Sequence, residues 1–302
     1  MKRLFLLICI FCFAVSVNAY SMNYMAGVKS GYFVWEPYIK ELKGGGISDI
    51  DKGSGVLYGP VISVMFTPDL SFSIAGLYGE QSAHWSSPNT ATTWDSQPDA
   101  VIDVSGLYTV DITRIDIDSA LSYRLTGNFK IFAGYKYQRI EALMKIEERR
   151  FAVINSTDNV LYESEWEYIT PAQGPALGVG FSIPFGGSFF LSSNFSFIYM
   201  WSSFKVTEVR TRSYDVGTYG DLDYANSEYT VSKDVWDFDS RQAGINFEPS
   251  IGAVVGDTGV IFNVSARIQY MRIEFVDEME AAPGGWVTDL FYGAYVSVLY
   301  TF

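Results

Sequence analysis

The sequence has little of the chemistry on which most catalytic sites depend. Its 302 residues contain two cysteines, Cys9 and Cys12, and one histidine, His84. Both cysteines lie in an N-terminal apolar run, so disulfides and thiol nucleophiles are excluded from the remainder. A single histidine also excludes sites built from several His and Cys ligands. We therefore expect no catalytic residues, no metal and no cofactor.

Basic charge and long apolar runs are scarce too. Lys and Arg number 21 against 34 Asp and Glu, a net charge of −13. So acidic a chain repels phosphate, and we expect no nucleic-acid partner. Beyond the N-terminus no segment approaches the 18 or so apolar residues of a membrane-spanning helix. Hydrophobic residues nevertheless make up 48% and aromatic residues 17% of the chain.

The N-terminus has the form of a secretory signal peptide. Lys2 and Arg3 precede the apolar run Leu4 to Val17, and Val17-Asn18-Ala19 is a small-residue cleavage site. No small residues precede Cys9 or Cys12 in the way that a lipoprotein site requires. We expect a signal peptide at 1–19, an outer-membrane domain at 20–302 and no lipid anchor.

The last segment, from Trp286 to Phe302, alternates with a period of two. Counted back from Phe302, one face is apolar and the other carries polar residues, from Thr301 and Ser297 to Asp289. This is the pattern of a half-buried strand. An exposed edge so apolar would aggregate, whereas an outer-membrane barrel closes it against the first strand, with the apolar face toward lipid.

The chain also repeats one unit four times, with a strand, a tight turn, a second strand and a long polar stretch. The turns carry the Pro, Gly, Asn or Asp of hairpins and lie at Pro68-Asp69, Thr126 to Asn128, Pro184 to Gly187 and Gly256 to Gly259. The strands that flank them are 56–67 and 70–80, 107–124 and 129–146, 173–183 and 189–207, and 241–255 and 260–276. With the strand Asn23 to Glu36 and the terminal strand, the count is ten; eight or twelve also fit.

These features predict an all-β protein, a transmembrane antiparallel up-and-down β-barrel in the outer membrane of a Gram-negative bacterium. A secreted β-sandwich is the alternative. An even strand count places both termini and the short turns in the periplasm. The long loops, 37–55, 81–106, 147–172, 208–240 and 277–286, then face outward.

The facing of the strands supplies finer predictions. The inward set contains charges that must pair, as a rigid polar plug or a narrow ion pathway: Asp116, Asp118, Arg124, Lys130, Lys136, Glu248 and Arg267. Tyr108, Val110 and Ile112 are out of phase with Ile115 to Tyr123, which predicts a bulge near Thr113-Arg114. Interfacial aromatic belts are expected at Trp35, Tyr78, Tyr123, Tyr137, Trp201, Tyr270 and Tyr300.

Two loop features suggest chemistry without specifying it. His84 lies in a polar loop, where a lone histidine is usually inert. The fourth loop concentrates carboxylates at Asp221, Asp223, Asp234, Asp237 and Asp239, which could bind Ca²⁺ but lack the calcium-loop spacing. A solvated acidic surface is the preferred interpretation.

A family resemblance lies in the strand number, the chain length and the tall loops, and in two local stretches, Phe129 to Gln138 after a periplasmic turn and the ending Leu299 to Phe302. In these features the sequence resembles the omptin family of outer-membrane proteases and related ten-stranded surface adhesins. The resemblance implies an Asp-Asp pair facing an Asp-His pair. However, the second loop, from Glu80 to Asn89, contains no aspartate pair, and the stretch from Thr207 to Asp215 contains no histidine. The omptin catalytic residues are therefore not carried over.

The function expected is a non-enzymatic, surface-exposed structural or adhesin-like binding role, with a protein or glycan ligand at the loops. The alternatives are an omptin-like protease with a divergent site and a narrow pore. Expected partners are outer-membrane lipid and the outer-membrane assembly machinery, which would recognise the strand that ends at Phe302.

Overall fold

The computed structural model describes residues 23–38, 51–87, 92–94, 97–103, 106–152, 159–215, 229–276 and 286–302. Twelve strands account for almost all of these residues: β1 Asn23–Glu36, β2 Gly53–Met65, β3 Leu70–Ser87, β4 Thr92–Trp94, β5 Gln97–Asp103, β6 Gly106–Arg124, β7 Phe129–Ala152, β8 Asn159–Phe185, β9 Phe189–Asp215, β10 Tyr229–Val255, β11 Val260–Phe275 and β12 Trp286–Thr301. Within these ranges no helix is long and apolar enough to cross a membrane. The predicted signal peptide lies outside the described residues and stays a prediction.

Ten of the strands close into an antiparallel barrel. Each pairs with its neighbour in the chain, with β3 next to β6, and β12 returns to β1. The closing ladder runs from Met25 opposite Thr301 to Glu36 opposite Leu290. The ten-stranded barrel and its closure on the Asn23 to Glu36 strand are confirmed, and the sandwich is excluded.

Four short turns join the strands at one end of the barrel, where the last residue, Phe302, also lies. Positive φ angles at Gly186, Gly187, Gly256 and Gly259 allow the tight third and fourth turns that the sequence predicts. We call this the turn end and the opposite end the loop end.

The strands extend further toward the loop end than predicted. Much of the expected loops 147–172 and 208–240 is strand, because β7 continues to Ala152, β8 begins at Asn159, β9 continues to Asp215 and β10 begins at Tyr229. The loop expected at 81–106 contains the hairpin β4–β5, which pairs with the far end of β7. Polar composition misled the boundary predictions, since an extended ladder can be polar on its outer face.

Near the turn end, apolar side chains cover the outside of the barrel. On β12 the exposed residues are Val296, Val298 and Tyr300, whereas Ser297 is buried inside. On β9 Leu191, Phe195 and Phe197 are exposed and Ser196 is buried. This apolar band with a polar interior is the opposite of a soluble barrel, as predicted from the terminal strand.

Toward the loop end the apolar residues lie on the inner face of the strands and the polar residues on the outer face, without any change of register. On β11 Ile268 is exposed and Arg267 buried, but further along Glu274 is exposed and Ile273 and Phe275 are buried. On β9 Lys205 is exposed and Phe204 and Val206 are buried. Each strand therefore passes from an inside-polar to an inside-apolar arrangement.

This exchange corrects the predicted bulge at Thr113-Arg114. The ladders of β6 with β3 and with β7 run through both residues without a shift. Val110 and Ile112 face inward like Asp116, so the strand keeps its facing and the apolar residues lie inside the barrel at this end. Register shifts occur elsewhere in the described strands, between Thr230 and Ser232 on β10 and between Thr92 and Trp94 in the β4–β5 hairpin.

The inward apolar residues at the loop end form one packed cluster, which we call the plug: Phe33, Trp35, Tyr38, Leu57, Leu77, Ala83, Val110, Ile112, Ile140, Ala142, Met144, Tyr168, Phe204, Val206, Ile273, Phe275, Val287 and Phe291. Trp35 is 1% exposed and lies inside it, so its predicted place in an interfacial belt is wrong. Tyr78, Tyr123, Trp201, Tyr270 and Tyr300 are exposed on the outer face, as expected of belt residues.

Candidate functional site in the lumen and at the loop end

Four charged side chains connect opposite walls of the lumen below the plug. Arg267 Nη2 contacts Asp118 Oδ2 at 2.6 Å, and its Nε contacts Glu248 Oε1 at 2.6 Å. Lys136 Nζ contacts the other oxygen of Asp118 at 2.8 Å. Ion pairs that share partners in this way satisfy charges that would otherwise be costly to bury.

A second polar layer separates this network from the plug. Arg114 donates to Asp116 and to Gln138, and Gln269 donates to the same Gln138 oxygen at 3.1 Å. The Arg114 guanidinium also lies 3.6 Å from the centre of the Phe291 ring, at the underside of the plug. Arg114, Gln138 and Gln269 are buried, so this layer closes the lumen.

Tyr38, just beyond β1, closes the lumen again above the layer. Its ring packs edge-on against Trp35 and Phe204. Its hydroxyl is 2.6 Å from Thr170 Oγ1 on β8, across the barrel. Burial raises the pKa of the Tyr38 phenol, so the hydroxyl stays neutral far into the alkaline range.

On the outer surface near Tyr38, Lys52 contacts Glu36 at 2.5 Å. The hydrogen bond to this carboxylate raises the pKa of Lys52. The pair attaches the start of β2 to the end of β1.

The barrel is taller on one side. Strands β8, β9 and β10 each have 27 residues, against 14 in β1 and 13 in β2. We call the parts of β7–β10 beyond the apolar band, residues 139–152, 159–172, 202–215 and 229–241, the wall. At about 3.3 Å per residue and a strand tilt of about 40°, the wall rises roughly 30 Å above the band.

A continuous aromatic stack leads from the plug up the inner face of the wall. Phe204 stacks on Tyr168, Tyr168 on Trp166, and Trp166 on Trp236, with 6.0 Å between the two indole centroids and 10° between their planes. Phe204 is buried, whereas Trp236 is 38% exposed. The stack therefore ends in an accessible indole.

Acidic charge is concentrated at the same end. The described residues beyond the apolar band, within 37–55, 80–113, 139–172, 203–242 and 272–290, include 18 Asp and Glu but 11 Lys and Arg. The remaining lumen and turn residues contribute nearly balanced charge. The described part of the loop end is thus acidic as a whole, and the wall itself has 11 acidic and 9 basic residues.

The closed barrel, the apolar band around its outside and the polar lumen together define the class of protein. This is an outer-membrane β-barrel. The turn end faces the periplasm and the loop end faces outward, as in single-chain bacterial barrels. The wall and the plug are therefore extracellular, and the ion-pair network lies within the membrane.

Several solved structures are similar to this chain in fold, at low sequence identity. The fold is similar to the outer-membrane protease OmpT from Escherichia coli, with 10% identity, 94% of this chain and 98% of that chain covered, and a TM-score of 0.44. It is also similar to the translocator domain of the autotransporter NalP from Neisseria meningitidis, with 7% identity, 96% and 92% covered, and a TM-score of 0.35. A third similar structure is the monoaromatic hydrocarbon channel CymD, with 10% identity, 96% of this chain and 92% of that chain covered, and a TM-score of 0.36.

Neither a protein-family model nor a curated protein sequence matches the chain. The class of the protein rests on the closed strand pairing and on the apolar band around the barrel. In strand number and closure, the chain fits the omptin-like architecture that its sequence resembles.

The structure brings together most of the charges that the sequence placed inside. Asp116, Asp118, Lys136, Glu248 and Arg267 form one network, Lys130 lies beside it, and Arg124 is exposed at a turn. Lys29 and Arg114 are inward charges that were not predicted, although Lys29 follows the outward Val28 and Arg114 precedes the outward Ile115 in the alternating pattern. The inward aromatic residues were not predicted either, because a membrane barrel was expected to be polar throughout its lumen.

The loop candidates do not assemble into a site. His84 is exposed on the outer face of β3, and its side chain has no hydrogen bond within the described ranges. Asp234 and Asp237 point to opposite faces of β10, while Asp221 and Asp223 lie outside the described residues. Among the residues described, no group of three or more His, Cys, Asp or Glu is placed to hold a metal ion.

Proposed function

We propose that this protein is a non-enzymatic surface receptor or adhesin whose wall binds a Lys- and Arg-rich segment of an extracellular protein. The observation that supports this most directly is the aromatic stack that ends at the exposed indole of Trp236. A stack supported from below by the buried plug is a rigid surface, and rigid Trp side chains are frequent binding hot spots.

The chemistry of the surroundings selects the partner. Two carboxylates share the inner face with the indoles: Glu208 lies opposite Trp166 in the β8–β9 ladder, and Asp234 precedes Trp236 by two residues on the same face of β10. An indole face among carboxylates attracts cations through the ring quadrupole and the local field together. Arg is favoured over Lys, because a guanidinium also stacks on an aromatic plane.

The competing functions have less support. A pore requires a continuous polar path, but the plug fills the lumen with side chains such as Phe33, Leu57 and Phe204 that are at most 1% exposed. An omptin-like protease requires a general base facing the mouth, and His84 lies on the outer face.

Binding of an Arg-rich peptide to the refolded barrel in detergent tests the proposal. A Glu-rich peptide of the same length and a neutral oligosaccharide serve as alternative ligands. We expect saturable binding of the basic peptide that weakens as salt is added, and about tenfold or more loss of affinity in Trp236→Ala. The matched control is Trp201→Ala, which removes a lipid-facing indole and should leave affinity unchanged.

Equal binding of the acidic peptide, or equal affinity in Trp236→Ala and wild type, would reject the proposal. Binding of the oligosaccharide alone would replace a protein partner with a glycan. Peptide cleavage that disappears in His84→Ala would establish the protease instead.

A further inference from the structure

The lumen within the membrane carries unbalanced charge. Its inward side chains include five cations and three carboxylates, namely Lys29, Arg114, Lys130, Lys136 and Arg267 against Asp116, Asp118 and Glu248. Tyr295 donates its hydroxyl to Glu248 and adds no charge. Below the plug the described cations therefore outnumber the carboxylates by two, and the next inward carboxylate, Asp289, accepts a hydrogen bond from Trp35 within the plug.

The contacts show which cations lack a partner. Arg114, Lys136 and Arg267 share the three carboxylates, with their shortest contacts at 3.3, 2.8 and 2.6 Å. Lys29 and Lys130 form no hydrogen bond or ion pair with any residue that the structure describes. Lys29 is only 5% exposed, and its ammonium lies 5.6 Å from the centre of the Tyr295 ring.

Both lysines line a cavity of about 270 Å³ below the Arg114 layer, which we call the cup. Lys136, Arg267 and the amides of Asn194, Asn246 and Asn263 line it as well, together with the carboxylates of Asp118 and Glu248, which pair with Lys136 and Arg267. Arg267 Nη1 is buried without a hydrogen-bond partner. An amide can turn its NH₂ group toward a ligand, so the cup offers many donors.

The cup is closed toward the outside and accessible from the periplasm. Above it, Arg114, Gln138 and Gln269 are at most 2% exposed. Toward the turn end, the lining residues Ser73, Lys130 and Asn194 are half-buried. A ligand would therefore enter from the periplasmic side.

We propose that the cup binds an oxyanion of phosphate or carboxylate type, either free or as the end group of a periplasmic molecule. Among the described residues the buried ammonium of Lys29 has no ion-pair partner, and the half-buried ammonium of Lys130 has none either. An anion between Lys29, Lys130 and Arg267 would offset the cost of burying this charge with charge-assisted hydrogen bonds. At about 30 Å³ for each water, the cup has room for a phosphate-sized anion and a few waters. This site is separate from the wall, so either proposal can fail alone.

Titration calorimetry of the refolded barrel with inorganic phosphate, in a buffer free of other oxyanions, tests the site. We expect saturable binding that raises the unfolding temperature, about tenfold weaker binding in Lys29→Met, and none in Lys29→Met/Lys130→Met. Lys29→Arg should retain binding. Lys233→Met removes an exposed extracellular charge and should bind as wild type does.

Heat-modifiable gel migration checks that each variant is folded before titration. Glycerol 3-phosphate, titrated in parallel, distinguishes a free anion from the end group of a larger molecule. If it binds as tightly as inorganic phosphate or more tightly, the ligand is an end group; if it binds more weakly, the ligand is the free anion. The proposal is overturned if wild type shows no phosphate binding, or if Lys29→Met/Lys130→Met binds as tightly as wild type. An absence of phosphate binding in wild type would mean that one or both lysines are neutral and that the cup contains water.

Discussion

Asp118 on β6 and Arg267 on β11 form a 2.6 Å ion pair across the full width of the barrel. Four strands separate β6 from β11 in either direction around the barrel, so the two residues lie on opposite sides of the lumen. Two side chains are thus enough to span the lumen at this level. The membrane part of the barrel is cross-linked through its interior as well as along its ladders.

Removing one partner of this pair should destabilise the barrel strongly. Asp118→Asn leaves the buried Arg267 and Lys136 with one carboxylate fewer; because Asp118 itself is 31% exposed, we expect a loss of about 2–3 kcal/mol. Unfolding by urea in detergent or lipid vesicles, followed by gel migration, measures it. Lys145→Met breaks an exposed pair with Glu165 on the wall and should cost at most about 1 kcal/mol. Equal losses would contradict a structural role for the network.

The exchange of apolar faces predicts where the membrane ends. Val264 and Val235 are similarly exposed on outer faces, at 54% and 52%, but Val264 lies in the apolar band and Val235 on the wall. Val264→Lys should cost about 2–4 kcal/mol in lipid, whereas Val235→Lys should change stability by less than about 0.5 kcal/mol. Unfolding in lipid vesicles compares them. A large loss in Val235→Lys would place the wall inside the membrane.

The sequence predicted well wherever one face of a strand meets lipid. The alternation of Val296, Ser297 and Val298 specifies strand, facing and closure together, because an apolar outer face has one favourable environment. The inward charges Asp118, Glu248 and Arg267 followed from the same alternation. Their pairing did not, since it depends on which strands face each other across the lumen.

The predictions failed where the barrel leaves the membrane. There an inward apolar residue such as Ile112 or Trp35 resembles a lipid-facing one, and period two alone does not say which side is apolar. The change was therefore interpreted as a bulge at Thr113-Arg114. Likewise, the polar outer face of the wall makes 208–215 and 229–240 resemble loop, although both are strand. The unpaired state of Lys29 could not be inferred without the geometry of the lumen.

The plug should behave like the core of a soluble protein. Phe204 is 1% exposed and contacts Tyr38, Tyr168, Phe238 and Phe275. Phe204→Ala should cost about 3–5 kcal/mol through lost burial and the cavity left behind. Val235→Ala on the exposed wall should cost less than about 0.5 kcal/mol in the same unfolding assay. A small effect of Phe204→Ala would mean that the plug is loosely packed.

Tyr38 gives the plug a characteristic alkaline response. Because its pKa is raised in the folded state, its contribution to stability is complete below about pH 10 and is lost as pH rises toward the folded value, by up to about 1.4 kcal/mol per pH unit. At pH 7 Tyr38→Phe should be less stable than wild type by about 1 kcal/mol. Above pH 10 wild type should lose stability and the difference between the two proteins should disappear. Thr170→Val keeps the phenol and should retain the alkaline loss. Urea unfolding at a series of pH values measures both, and parallel profiles for Tyr38→Phe and wild type would show that the phenol ionises freely.

The plug should also keep the barrel closed to ions. In planar bilayers we expect wild type to give no stable unitary current, because buried aromatic and aliphatic side chains occupy the lumen above the polar layer. Arg267→Gln changes only the polar part and should stay silent. Phe33→Ala/Phe204→Ala/Phe291→Ala removes three buried rings from the plug and should produce measurable, flickering conductance if the variant is folded. Unitary currents in wild type that change with Arg267→Gln would show instead that the ion-pair network lines a conducting path.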